Sequence, residues 1–526
     1  MATTDAHERG SDTVGNGPAE PFVSLLFPEP GVWRAPPEPP ACFADLHLDQ
    51  IVAAATAGRD EYDLRGFYHQ PLEDPEQVRY RQDVVDDLMN RPLREAVDAF
   101  AEQLRLMRRY LRVAHQARHG LVSQRWFLEA AAVYRDAAQD LALAMDDASP
   151  RSAGLTALGR RLTDLLASAE FERFASASLA VHEDLSALEY SITIKGSHVQ
   201  VDFVGEAEQL APQVEATFAR FAQEDVPRRN WRLKDLAGLN HVEEQVLDRV
   251  ARLFPEPFER LQTFCTRHTH VFDEGLLRFD REVQFYLGYL EFIEPLAANG
   301  LEFCRVDLDA EAVCVENGFD LSLATKLAPQ RRAPVTNGFR LKAPERVLVV
   351  TGPNQGGKTT FARMIGQLYV LAGLGLPVPA SHAALVLADR VCTHFEREER
   401  LESLRGKFED ELMRIHAILD VATDRSVLVM NESFGSTTLA DGLLVGSEIL
   451  GQIIERGSVC VFVSFIDALA SLGPETVSMM STVVADDPSQ RTFRIERKPA
   501  DGLAHAVALA TKYQLGYEGL RRRLAP

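Results

Sequence analysis

Apolar residues recur at three- and four-residue spacing from about Asp60 to Asn299, the mark of amphipathic helices. Arg79–Leu106 and Leu155–Phe174 carry the pattern with few breakers, and Gly275–Leu296 carries it best. In that last run Leu276, Phe279, Val283, Leu287, Leu290 and Ile293 fall on one stripe, which demands a partner helix or sheet. Leu188–Val204 departs from the helical period. It alternates apolar and polar residues around Lys195-Gly196, and so predicts a short β-hairpin.

From about Glu302 the texture changes. Strands are expected at Arg346–Thr351, Ala384–Thr393, Ser426–Asn431 and Val459–Ser464, with helices at Lys358–Leu371, Lys407–Val421 and Leu439–Arg456 between them. Buried strands alternating with helices imply a mostly parallel sheet covered on both faces. At the other end, Pro28, Pro30, Pro36, Pro37, Pro39 and Pro40 exclude regular helix or central strand from the first forty residues. That stretch reads as a flexible arm, although Phe22–Phe27 is apolar enough to dock. The expected architecture is α+β and multidomain. It comprises an arm over 1–40, a mostly helical domain over 41–300 with its hairpin near 188–204, and an α/β domain over 301–526.

Composition narrows the class without naming a chemistry. The chain has 526 residues, 46% hydrophobic and 25% charged, which excludes disordered, collagen-like and disulfide-scaffold descriptions of the whole. A net charge of −21 argues against coating nucleic acid through bulk charge, while leaving room for a local basic surface. Six cysteines lie far apart with no CxxC pair, which fits a reducing compartment. Met1–Gly17 lacks the apolar core of a secretory signal, and no run is long enough to cross a bilayer. A soluble, cytoplasmic protein is expected.

One segment carries sharp chemistry. Thr351-Gly352-Pro353-Asn354-Gln355-Gly356-Gly357-Lys358-Thr359-Thr360 matches GxxxxGK[ST] between the strand Val347–Val350 and a helical pattern. Glycines let successive N–H groups curl towards phosphate oxygens, and the helix adds its positive end. Lys358 is placed to reach the β- and γ-phosphates, and the Thr359 hydroxyl to bind Mg²⁺. Further on, Val427–Met430 runs into Asn431-Glu432. A carboxylate leaving a buried strand next to the phosphate strand can point at an attacking water, so Glu432 is the expected general base. Asn431 stands where an aspartate would hold the Mg²⁺ shell, accepting through its carbonyl but carrying no charge. Ser436–Gly442 is a small polar loop whose composition helix capping alone would justify.

These residues resemble the MutS-type mismatch-repair ATPases. Thr351–Thr360 is similar to that family's TGPNMGGKST loop, and Asn431-Glu432 with Ser436–Gly442 to its DE…GTST.DG segment. A looser likeness runs through His69-Gln70-Pro71-Leu72, Asp74-Pro75-Glu76, Arg81-Gln82 and Val84-Val85, which resembles the opening of the family's helical lever region. The resemblance covers roughly residues 60–525 and is firmest in the last 180 or so. It implies an ABC-type ATPase that sandwiches ATP and Mg²⁺ between two subunits, with a lever region coupling nucleotide state to DNA or another partner.

The departures shape the expectation. The segment ahead of the lever-like region leaves no room for the family's mismatch-reading and connector domains. Asn431 replaces Asp; the signature loop reads Gly406-Lys407-Phe408 without hydroxyls; and Phe465 follows Ser464 where the γ-phosphate-sensing His belongs. Slow hydrolysis is expected, with Lys407 or Arg405 as the cation offered to the other subunit's phosphate. For DNA, the candidates are Arg108, Arg109 and Arg112, within a cluster that includes Arg105, Arg118, His115 and His119. A second basic group is Arg228, Arg229, Trp231, Arg232 and Lys234. Arginine binds phosphate bidentately and aromatics stack on bases, yet a solvated helix face paired with nearby acids is the commoner explanation of each group. His268 and His270 lack a third metal ligand and read as structural or exposed.

The leading expectation is therefore a MutS-like, ATP-dependent DNA-binding homodimer of repair or recombination, gripping DNA of non-B or branched geometry. The alternative is a nucleotide-gated dimeric scaffold with weak ATPase and a protein target. A small-molecule kinase would need a lid and an acceptor site, for which the helical half offers nothing.

Overall fold

The computed structural model describes residues 24–29, 38–195, 198–204, 241–310, 312–396, 406–434, 437–484 and 487–499. The Lys195-Gly196 turn, the Arg228–Lys234 group, Arg405 and Ser436 fall wholly or partly outside them.

In chain order, helices α1 (Cys42–Asp45), α2 (Leu48–Ala55), α3 (Arg65–Tyr68), α4 (Pro75–Leu88), α5 (Arg91–Gln116), α6 (Gly120–Ala148), α7 (Ala153–Leu166) and α8 (Ala169–Ser186) precede an antiparallel hairpin of β1 (Tyr190–Lys195) and β2 (His198–Phe203). Then come α9 (His241–Leu253), α10 (Pro255–Arg267) and α11 (Glu274–Ala298). The α/β part holds β3 (Val313–Gly318), α12 (Leu321–Leu327), β4 (Asn337–Leu341), β5 (Val347–Thr351), α13 (Lys358–Gly373), β6 (His382–Ala384) and β7 (Val391–Phe395). It continues through α14 (Lys407–Val421), β8 (Val427–Asn431), α15 (Leu439–Arg456), β9 (Val459–Val463), β10 (Thr476–Val484) and β11 (Asp487–Arg497).

The described chain divides into two compact units. Asp87–Asp280 form one; Ser24–Asp86 with the residues from Arg281 onward form the other. These borders fall inside α4 and α11, whereas the sequence texture changes near 40 and 300. A helix can keep one period while its two halves pack into different cores, so periodicity carries no mark of such a border.

The helical unit is built on α5 and α6. Leu93, Val97, Phe100, Leu104 and Met107 of α5 are buried at three- and four-residue spacing, facing the alanine-rich α6. Rings from α6, α8 and α10 then meet in one aromatic cluster, where Phe174 lies stacked near Phe264 at 6.1 Å. His268 packs edge-on against Phe174 at 5.5 Å, and burial lowers its pKa, so it is a core-edge histidine. Two expected helical runs prove to be pairs. Asn90 adopts an extended conformation and Pro92 enters the first turn of α5, which splits Arg79–Leu106. Ser168 accepts from Phe171 N and so starts α8, which splits Leu155–Phe174.

In the other unit a six-stranded sheet runs in the order β11-β10-β5-β9-β8-β7, parallel except for β11. All residues of β5, β8 and β9 are buried. Helix α13 packs against β7, β8 and β9, while Ile415 and Leu419 of α14 and Ile449, Leu450 and Ile453 of α15 join the core with Val347, Leu428, Cys460 and Phe462. A smaller antiparallel sheet has the order β4-β3-β6. The expected strand Ala384–Thr393 is thus two strands in two sheets, because residues 385–390 leave one ladder before joining the other. Strands β3, β4, β10 and β11 were not individually legible in the apolar pattern.

Within the amino-terminal stretch, Ser24–Phe27 is anchored. Leu25, Leu26 and Phe27 are almost fully buried. Glu282 of α11 accepts from Ser24 Oγ (2.8 Å) and Leu25 N (2.7 Å). Tyr286 donates to Leu25 O at 2.7 Å, and the buried Arg81 donates from Nε to Leu26 O at 3.0 Å. Among the described residues no helix is long and apolar enough to cross a membrane.

Candidate nucleotide-binding site

The register Val350↔Val463 and Asn431↔Val463 brings the carboxyl ends of β5, β9 and β8 to one edge of the sheet. Ligands of open α/β sheets bind at that edge. The glycine-rich loop leaves β5 there and ends in α13, whose first residue is Lys358. Gly357 sits at φ +90°, where a side chain would be strained, and a Cβ on Gly356 would fall on Ser481 Oγ of β10. Ser481 Oγ donates to Gly356 O at 2.8 Å, and Arg491 Nε of β11 donates to Asn354 O at 3.2 Å. The two carboxyl-terminal strands therefore brace the loop from outside.

Lys358 folds back over the loop. Its Nζ donates to Gly352 O (2.9 Å) and Pro353 O (3.1 Å) and lies 3.5 Å from Asn354 Oδ1. Only 5% of the residue is exposed. Burial lowers its pKa; Glu432 counteracts this, Arg491 adds to it, and Asp467 opposes it weakly. A poorly hydrated ammonium held by main-chain carbonyls is suited to exchange those partners for phosphate oxygens.

Glu432 follows β8 at φ +55°, its N–H donating to Val463 O at 3.1 Å. Phe434, two residues on, is at φ +67° and buried, stacked towards Phe462. Left-handed backbone costs an ordinary residue about 1–2 kcal/mol, so the surroundings hold this turn in place. The sequence-based picture needs one correction here. β8 is not next to the phosphate strand, because β9 lies between β5 and β8. The connection from β8 through α15 delivers β9 into that position, and Glu432 reaches the site from two strands away.

Two oxygens of the set suit a divalent cation. Asn431 Oδ1 and Thr351 Oγ1 are both buried with no hydrogen-bond partner. An unmade buried acceptor costs about 1–3 kcal/mol, which a bound cation or its water would relieve. With the half-buried Thr359 in the first turn of α13, these oxygens suit a hard, oxygen-liganded ion.

Thr438 N-caps α15, accepting from Asp441 N at 3.2 Å, as the capping explanation of that loop requires. Gly406 takes the N-cap position of α14, and Phe408 packs edge-on near Phe434. Phe465 is about half exposed just past β9, while Ser464 N donates to Val350 O at 3.0 Å. In the helical unit Arg108 is paired with the buried Asp280, whereas Arg109 and Arg112 are exposed. Ser481, Arg491, Asp467 and His394 escaped the sequence reading, since none lies in a recognisable motif; the fold brings Ser481 and Arg491 to the loop, Asp467 near Lys358 and His394 to Ser433.

A glycine-rich strand-to-helix turn at the carboxyl edge of a mostly parallel sheet defines an α/β architecture of the kind that binds ligands at that edge. Comparison with known proteins is narrower. Residues 348–508 match the model of MutS domain V. The DNA mismatch repair protein MutS of Thermotoga sp. (strain RQ2) is 28% identical over 170 residues, 32% of this chain and 21% of that protein. Endonuclease MutS2 of Thermus thermophilus is 30% identical over 191 residues, 36% of this chain and 25% of its own. The MutS of Granulibacter bethesdensis is 27% identical over 324 residues, 61% of this chain and 33% of that protein. Residues 348–508 are thus similar to domain V of MutS proteins, and the chain spans about a fifth to a third of these relatives' lengths.

Proposed function

We propose that this chain is an ATP-binding, slowly hydrolysing ATPase of the ABC type that acts on DNA in repair or recombination, as a cytoplasmic homodimer. Gly352, Pro353, Asn354, Gln355, Gly356, Gly357, Lys358, Thr359 and Thr360 cradle the triphosphate. Thr359 and Asn431 hold Mg²⁺, which neutralises phosphate charge when bound. Glu432 takes the proton of the attacking water, and Lys358 trades its carbonyl partners for phosphate oxygens. The observation that carries the reading is Lys358 folded over a braced loop with Glu432 near enough to shift its pKa.

Of the three DNA candidates, Arg109 and Arg112 are the ones this reading favours. Arg109 and Arg112 are open to a backbone phosphate, while Arg108 serves first as the partner of Asp280. Similarity to a DNA mismatch repair protein and an endonuclease favours a DNA target over a protein-binding scaffold. Non-B or branched DNA is the expected class, bound by two copies with nucleotide between them. The deciding experiment measures ATP turnover across duplex, junction and mismatched DNA, with Glu432→Gln beside the native chain. Glu432→Gln is expected to bind Mg·ATP normally and to lose turnover. Unchanged turnover would remove Glu432 as the base, and failure to bind any DNA at moderate salt would remove the DNA target.

A further inference from the structure

We infer that His394 is a positioning residue for Glu432, acting through Ser433; this rests on Glu432 being the general base. His394 lies on β7 and is fully buried, level with Met430 of β8. Its Nδ1 shares a hydrogen bond of 3.1 Å with Ser433 Oγ, itself only 1% exposed. Ser433 is the residue between Glu432 and Phe434, the two positions with positive φ.

That turn has no intrinsic tendency to hold its shape, since neither left-handed residue is glycine. Three attachments hold it. From β9, Val463 O accepts the Glu432 N–H. From β7, His394 ties Ser433. Below, the Phe434 ring sits between Phe408 and Phe462. Because β7 and β9 are the two neighbours of β8, the turn is tied to both sides of its strand. Loss of the β7 tie leaves Glu432 anchored from one side and free to relax towards right-handed backbone, which moves its carboxylate. Catalytic groups tolerate little misplacement, so the effect belongs to turnover rather than to nucleotide binding.

The test compares Ser433→Ala, His394→Phe and His394→Asn, whose amide can stand near the place of Nδ1. Steady-state ATP turnover is measured beside the affinity for a fluorescent Mg·ADP analogue and the thermal midpoint. Ser433→Ala and His394→Phe are expected to lower kcat about tenfold or more while ADP affinity stays within about twofold, and His394→Asn to recover part of the loss. Ser433→Ala decides the matter if His394→Phe does not fold. An unchanged kcat in folded Ser433→Ala, or equal losses in kcat and ADP affinity, overturns the inference. A native chain that binds Mg·ATP but never turns it over, or Glu432→Gln with native turnover, overturns the reading of Glu432 as the base and this inference with it.

Discussion

At the scale of single residues, the proposed role has Lys358 bind polyphosphate only as a cation, and burial already holds its pKa below the ordinary lysine range. Bound phosphates favour the charged form, so above the free protein's pKa binding must take up a proton. Affinity for Mg·ATP is therefore expected to fall on the alkaline side sooner than an exposed lysine would allow, by up to about tenfold per pH unit. Titration of nucleotide binding from neutral to high pH checks this, and Lys358→Ala should lose binding throughout. Asn431 gives a second prediction. Its buried, unpartnered oxygen suits a metal shell but carries no charge. Asn431→Asp should lower the Mg²⁺ concentration needed for half-maximal nucleotide binding by about tenfold, a gain of roughly 1.4 kcal/mol. A Mg²⁺ titration at fixed nucleotide reads it directly.

Elements separate structural charges from available ones. On α5, Arg108 meets Asp280, which is 1% exposed. Arg108→Ala leaves a carboxylate buried without that partner and should cost about 3 kcal/mol of stability in denaturant unfolding. Arg109 and Arg112 on the same helix face solvent. Replacing both with Ala should change stability by less than about 0.5 kcal/mol. If they contact phosphates, DNA affinity should also fall and its salt dependence flatten. Spacing along the helix placed all three arginines in one cluster; only the partner segment distinguishes them. Helix α11 teaches the same lesson, because its expected stripe is buried, yet so are Phe285, Tyr286 and Tyr289 between those positions.

For the molecule as a whole, the short Ser24–Phe27 segment is a structural part of the unit that carries the candidate site. Phe27 is 2% exposed, and the Arg81 guanidinium stands 5.1 Å from its ring centre. Phe27→Ala is expected to cost about 3–5 kcal/mol and to lower the thermal midpoint clearly. Removing residues ahead of Ser24 is the matched control, with little change expected if the anchor alone carries the effect. Two copies joined by nucleotide would sediment as a dimer with Mg·ATP and separate without it, and Lys358→Ala should stay monomeric under both conditions.

Much of the nucleotide half was readable because its signals are local. A buried strand, a glycine-rich turn and a helix start are set by neighbours in the chain, so the bounds of α14 and α15 and the loop from Gly352 to Lys358 followed from pattern alone. What sequence could not supply is everything decided by pairing across the fold. The insertion of β9 between β5 and β8, the bracing of the loop by Ser481 and Arg491, and the union of α1 to α4 with the distant α/β part depend on non-local contacts. So does the tie from His394 to Ser433. Local backbone preference settles which segments form elements; burial of their apolar faces, shared by residues hundreds of positions apart, settles where each element goes and what its polar groups can reach.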